Sequence, residues 1–383
     1  MKSSLIIQKN KAQYVLSLII LTMSLIWIAV ALRSHSNNAT HFNFKEYEKK
    51  YYESQWAIPN SKKPISDETL YTYAGYKYIN GTNPILINPE APPLGKYLIG
   101  LSILLFNSQE TINILVGLFC LVLIYKIIFT VTSSVFYSII GVFFTSINTL
   151  FIDQLIHTPQ LEIFQLLFIL LIFICVIQYQ KNKNVSWIIY IGILLGCFFS
   201  IKAFFLHFSL ALLWLGIYFF TLNKSKNKKN LFSFVIIITI ALIVFTLTYF
   251  NYFFHNGTLR GFLGVQKWIM LFYQDSKIET LKIMGGYISL IFFNKWRFWS
   301  NGYPLISYDS WSILWPFIYI LGIYSVYILK KHQLLLSIIS FIGAYSLFLF
   351  FIPVFPRYLL LLFIPLTIVG TVFLHSKTSL NKL

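Results

Sequence analysis

Acidic residues are scarce: the 383-residue chain has 12 Asp and Glu against 30 Lys and Arg, a formal net charge of +18. Charged residues of both signs reach only 11%, where soluble domains average about 25%, and this excludes a water-soluble globular fold. Cysteine is nearly missing as well. Cys120, Cys175 and Cys197 each fall inside an apolar run with no CxxC or CxxH spacing, which excludes a disulfide framework and a thiolate metal site. The sequence contains no Walker A loop, GxGxxG, HExxH or GxSxG, and no internal repeat of the kind that marks many secondary transporters. His157, His207 and His255 lack metal-ligand spacing and read as packed or solvated side chains.

What the chain has in excess is apolar surface: 57% hydrophobic and 19% aromatic residues, with a mean hydropathy of +0.71. A bilayer core of ~30 Å needs about 20 apolar residues in helix, and the candidate spans are 14–32, 111–130, 136–152, 160–178, 187–201, 204–222, 231–250, 312–328, 334–351 and 358–374. Lys2, Lys9 and Lys11 precede the first. It is longer than a signal-peptide core and no convincing A-x-A cleavage site follows it, so a retained helix is expected. Lysines cluster at 181–183, 224–229 and 330–331 and recur at Lys377 and Lys382, each group two spans from the next. The positive-inside rule places them in the cytoplasm with both termini, and the basic excess therefore marks topology rather than a nucleic-acid partner. The stretch 94–106 has only 13 residues and reads as an interfacial or re-entrant helix. The expected fold class is an all-α polytopic membrane protein with about 10 transmembrane helices and interfacial helices in the outer loops. It forms one integral membrane domain over 1–383, in the plasma membrane, with outer loops at 33–93 and about 251–311 and no separate soluble domain. Lys267, Trp268, Lys295, Trp296, Arg297 and Trp299 give the second loop the composition of a membrane–water interface.

All the acids fall on the outer side. Glu46, Glu48, Glu53, Asp67, Glu68 and Glu90 are in the first outer loop, Glu110, Asp153 and Glu162 at outer helix ends, and Asp275, Glu279 and Asp309 in the second loop. Acids weigh little in the positive-inside rule, so this asymmetry is not built into the topology and points to chemistry outside. Four places can carry it. Ser66 caps a helix expected over about 67–79, with Gly81 near its end. Asp67 and Glu68 suit the positive end of its dipole, and a carboxylate there can serve as general base toward a hydroxyl. Pro92 and Pro93 turn the chain into the helix beginning at Leu94, beside Glu90 and a snorkelling Lys96. Asp153 and Glu162 flank Thr158-Pro159, a cap and first turn, close to a depth where a charge costs roughly 2.5–3.5 kcal/mol at the helix centre. Lys202 and Arg357 stand at outer helix ends without a sequence-local partner. Each needs an anion, either a protein carboxylate or a lipid phosphate, and Arg can grip phosphate in bidentate fashion where Lys offers a point charge.

Asp67-Glu68-x-x-Tyr71 followed by Glu90-x-Pro92-Pro93-Leu94-Gly95-Lys96, after one leading span, resembles the GT-C glycosyltransferases. The similarity is to the branch of dolichyl-phosphate-mannose–protein mannosyltransferases and bacterial aminoarabinose transferases, with an Asp-Glu pair in the first outer loop and a His/Lys-Pro-Pro corner before the next helix. Gly192 through Lys202 and Pro356-Arg357-Tyr358 extend it more weakly. Ala91 stands where relatives often carry His or Lys, so any contact of that side chain is missing here and Lys96 or Lys202 would substitute.

The resemblance implies a GT-C-like fold and transfer of one sugar, with inversion, from a polyprenyl-phosphate-linked donor to a hydroxyl of a glycan, lipid or protein acceptor. Within it, Asp67 and Glu68 are the catalytic pair, with Asp67 as base. Lys96, Lys202, Lys267 and Arg357 hold the donor phosphate, while Glu90, Asp153 and Tyr71 orient the acceptor or a metal. Glu90 and Asp153 can hold a divalent ion with water, although nothing in the sequence demands a cofactor. The competing reading is a polytopic transporter or flippase of a lipid-linked sugar. That reading expects charges at mid-depth on broken helices rather than in an outer loop.

Overall fold

The computed structural model describes residues 2–36, 41–156, 159–222, 228–274, 280–297 and 304–380. His157, Thr158, Asp275, Glu279, Trp299 and most of the 224–229 lysine run lie outside the described residues.

Helix α1 (Lys2–Ser36) leads into a first loop that folds as α2 (Phe44–Tyr52), α3 (Asp67–Ile79) and a 3-10 turn at Pro84–Leu86 before α4 (Leu94–Phe106). The bundle continues with α5 (Thr111–Thr132), α6 (Val135–Ser146), α7 (Thr149–Ile156), α8 (Glu162–Asn182), α9 (Ser186–Phe199), α10 (Phe204–Leu222) and α11 (Lys228–Leu247). The second loop holds α12 (Phe250–Phe254), α13 (Leu259–Gln274), α14 (Thr280–Ile283), α15 (Gly286–Phe293) and the antiparallel pair β1 (Trp296–Arg297) and β2 (Leu305–Ile306). α16 (Leu314–Leu329), α17 (Leu336–Phe351) and α18 (Leu360–Leu380) follow. The chain is thus a helical, polytopic membrane protein.

All ten expected spans fall on helices, but among the described residues only five helices are long and apolar enough to cross a bilayer. A sixth span arises if α6 and α7, bent by 63° at their junction, count as one. The bend has a local cause: Asn148 Oδ1 accepts the Leu150 N–H at 3.0 Å, capping a new helix where the old one stops. α9, α10, α11 and α16 present shorter apolar stretches.

Apolar character alone does not sort these helices. α18 is apolar on every side and sits in the protein interior, with Leu360 through Ile364 all buried. α1 is as apolar, yet Leu16, Ile19, Ile26 and Val30 are exposed, a surface suited to lipid.

The first loop is locked onto the bundle. Gly75 of α3 and Gly100 of α4 meet so closely that a Cβ on Gly100 would stand 2.2 Å from the Gly75 carbonyl oxygen, so only glycine permits the crossing. Tyr51, Leu70, Tyr73 and Tyr78 form a small core beneath α2 and α3, with Tyr51 stacked on Tyr73 at 4.5 Å. Both ends of α4 are tied as well, by Leu94 N–H to Ser200 O at 3.0 Å and Phe42 N–H to Asn107 O at 3.2 Å.

A buried ion cluster as candidate active site

α3 starts where the sequence places it. Ser66 Oγ accepts the Thr69 N–H at 3.3 Å, and Gly81 takes a left-handed φ of 87° just past the end. Asp67 and Glu68 therefore project from the first turn, next to the exposed N–H groups of the helix. Their partner comes from the far end of the chain. Arg357 Nη2 donates to Asp67 Oδ2 at 2.5 Å, and Nη1 lies 3.9 Å from Glu68 Oε1. Arg357 sits in the 3-10 turn that leads into α18, held there by the Tyr345 hydroxyl, which donates to Tyr358 O at 2.9 Å.

Glu162, at the first position of α8, holds the cluster together. Its side chain is 2% exposed, and Oε1 receives Lys202 Nζ at 2.5 Å and faces Arg357 Nε at 3.1 Å. One buried carboxylate thus serves two cations, while the ring of Tyr358 lies 4.5 Å under Lys202 Nζ. Three amide side chains brace the scaffold around it. Gln160 Nε2 reaches Glu68 Oε1 at 3.5 Å, Gln160 accepts from Gln154, and the Gln160 carbonyl accepts from Asn113 Nδ2 at 2.9 Å. Of the expected anion partners for Lys202 and Arg357, the structure supplies protein carboxylates.

Lys96, expected to face the donor phosphate, instead points inward and is fully buried. Its Nζ donates to Asn88 O, Asn88 Oδ1 and Ala91 O, each at 2.7 Å. Burial pushes Lys96 down to about 7, yet three acceptors match the three N–H groups of an ammonium, where the neutral amine has two. The ammonium pins the Asn88–Pro93 corner, so it also does not replace the basic side chain absent at Ala91. Glu90 accepts from Asn88 Nδ2 at 3.2 Å. Its carboxyl is raised above the usual range, first by burial and further by Asp67, against the pull of Asn88 and Lys96.

Tyr71 is buried on α3. Burial raises its phenol well above the ordinary tyrosine value, and the charges of Asp67, Arg357, Glu90 and Glu162 reach it. Asp153, on α7, is hydrogen-bonded to the Tyr308 side chain from the second loop. Among the described residues no group of three or more His, Cys, Asp or Glu converges as a metal seat. Lys267 lies exposed on α13, and among the described residues no ion pair joins it to the cluster. His207 and His255 each hydrogen-bond through Nδ1 to a carbonyl four residues back, at 3.0 and 2.7 Å, as packed histidines do.

Residues 90–249 match the family model described as dolichyl-phosphate-mannose-protein mannosyltransferase. No curated protein matches the chain. The matched stretch supplies Glu90, Lys96, Asp153, Glu162 and Lys202, and the fold brings Asp67 and Arg357 to it from either side. It bears out the resemblance read from the motifs: over residues 90–249 this membrane protein is similar to that mannosyltransferase family, whose members are glycosyltransferases of the GT-C type.

Proposed function

We propose that the protein transfers a single sugar from a polyprenyl-phosphate-linked donor to an acceptor hydroxyl, with inversion, on the extracytoplasmic face of the plasma membrane. Asp67 takes the proton of the acceptor hydroxyl as its oxygen attacks the anomeric carbon. The new glycosidic C–O bond forms while the bond to the phosphate oxygen breaks, and the electron pair leaves with polyprenyl phosphate. Lys202 and Arg357 offset the charge on that leaving group, with Lys267 as an outlying cation on α13. Glu68, Glu90, Tyr71 and Asp153 orient the acceptor and the basic side chains.

The observation that carries this reading is the meeting of Asp67 with Arg357 across 290 residues of sequence, which sets a candidate base against a candidate phosphate ligand. Helix polarity supports the assigned face. Glu162 and Lys181 lie at opposite ends of α8, a helix of 21 residues and so ~31 Å long. The cluster and a cytoplasmic lysine group are thereby kept a bilayer apart. The two ends of α4 are tied to Phe42 and Ser200, consistent with a helix that returns to its starting side and with about ten spans in all.

The test is transfer by purified protein supplied with decaprenyl-phosphate sugars and a native envelope extract as acceptor. Wild type should release decaprenyl phosphate, and Asp67→Asn should be slower by about 10²–10⁴-fold with an unchanged elution profile. Full turnover by that variant, or movement of intact donor across vesicles without release of decaprenyl phosphate, would sink the assignment.

A further inference from the structure

Arg357 contacts its two carboxylates unequally. Toward Glu162 it faces a side chain only 2% exposed, and toward Asp67 one that is 41% exposed. Exposed ion pairs are weak and exchange readily, whereas a buried carboxylate deprived of its cation is strongly destabilised. An anion arriving at this cation pair therefore competes with Asp67 and leaves Glu162 in place. The planar guanidinium suits such an exchange, because its Nε edge stays on Glu162 while its Nη edge changes partner. As the structure stands, Oδ2 of the candidate base is occupied by that Nη edge. Arg357 also has no room to retreat into the core, with Phe355 5.2 Å from its guanidinium carbon and the 3-10 turn anchored through Tyr345.

We propose that Arg357 is an anion-operated latch on Asp67: the phosphate of the lipid-linked donor draws the Nη edge away, and Asp67 becomes available to an acceptor hydroxyl only once donor is bound. This rests on the function proposed above and adds an order to it, donor before acceptor. It makes Arg357 a positioning residue for the base as well as a ligand of the phosphate. The device prevents the carboxylate from engaging hydroxyls, water included, when no activated sugar is in place.

The test is equilibrium binding of decaprenyl phosphate to purified protein in nanodiscs, a measurement that needs no turnover. If Asp67 competes with phosphate for Arg357, Asp67→Asn and Asp67→Ser should each bind decaprenyl phosphate about tenfold more tightly than wild type. In the Arg357→Lys background the same changes at Asp67 should bring no gain, since the shared guanidinium is gone. Unchanged or weaker binding by both Asp67 variants overturns the latch while leaving the donor assignment intact. A gain that persists without Arg357 also overturns it, because simple removal of negative charge would then account for the effect. Absence of decaprenyl phosphate binding in every form would instead remove the donor class itself, and the latch with it.

Discussion

Lys96 and Lys202 are both drawn into the protein within the family-matched segment, and they are held in opposite ways. Lys96 is surrounded by three uncharged oxygens from Asn88 and Ala91 and is fully buried. Lys202 rests on a carboxylate, Glu162, that it shares with Arg357, and its side chain keeps some exposure. The first arrangement has every donor used and nothing to exchange, so it fixes the shape of the proline corner. The second is a chain of alternating charges, Lys202–Glu162–Arg357–Asp67, whose outer member is open to solvent. A satisfied buried cation stiffens a fold, whereas an ion chain that ends at the surface can trade its last link for a ligand.

The sharpest way to separate the two regions is to remove Glu162. Glu162→Gln keeps the shape but leaves two cations without their common anion, and breaking a buried pair of this kind costs about 3–5 kcal/mol. Thermal unfolding in detergent should move down accordingly, and sugar transfer should fall with it. A variant as stable and active as wild type would show that Lys202 and Arg357 do not depend on Glu162. Lys96→Met is the matching change in the other region. It orphans three acceptors, each worth about 1–3 kcal/mol when buried and unpaired, offset in part by rotation of Asn88. Stability should drop while transfer per folded molecule stays within about threefold. A selective loss of transfer at normal stability would instead give Lys96 a part in donor binding.

The stabilising corner was less legible in the sequence than the helix beside it. Ser66, Asp67 and Gly81 mark α3 with short-range signals, a cap and a left-handed stop, and the helix runs over Asp67–Ile79 as those signals require. Pro92 and Pro93 likewise fix the start of α4 by local sterics. The need of Lys202 and Arg357 for an anion was also visible, since a charge near bilayer depth cannot stand alone. Which anion was not visible. Glu162 looked like a helix-end acid, and its service to a lysine 40 residues away and an arginine far beyond depends on helix packing that no local pattern encodes. The inward turn of Lys96 was hidden for the same reason, because a snorkelling lysine and a buried one have the same sequence. The five short apolar helices show a further limit: hydropathy locates them but does not determine how each sits against the bilayer.

Glu90 lies between the two regions and offers a smaller, pH-dependent contrast. Burial raises its carboxyl above the usual carboxylate range, so there is a pH interval in which the folded chain holds a proton that the unfolded chain has released. Stability then falls as pH climbs from the unfolded value through the folded one, and is level below that interval. Glu90→Gln should remove this part of the dependence, giving a variant that matches wild type in acid and exceeds it once Glu90 is ionised. Melting curves across the acidic to neutral range would read the difference. A steeper decline in the variant would mean that Glu90 is stabilised as a carboxylate by Asn88 and Lys96 instead.

The smallest effect is expected at Lys267, which is a phosphate ligand only if α13 delivers it to the cluster. It is exposed, so its ammonium stays hydrated and its attraction for a phosphate is of the size measured for surface pairs, about 0.2–1 kcal/mol. Lys267→Ala should therefore raise KM for a decaprenyl-phosphate sugar by at most about fivefold, leave kcat unchanged, and lose even that difference at high salt. An effect a hundredfold or larger on kcat would mean that the outlying lysine reaches the leaving phosphate during transfer, and the contrast between an ion cluster that works and a surface that only attracts would have to be redrawn to include α13.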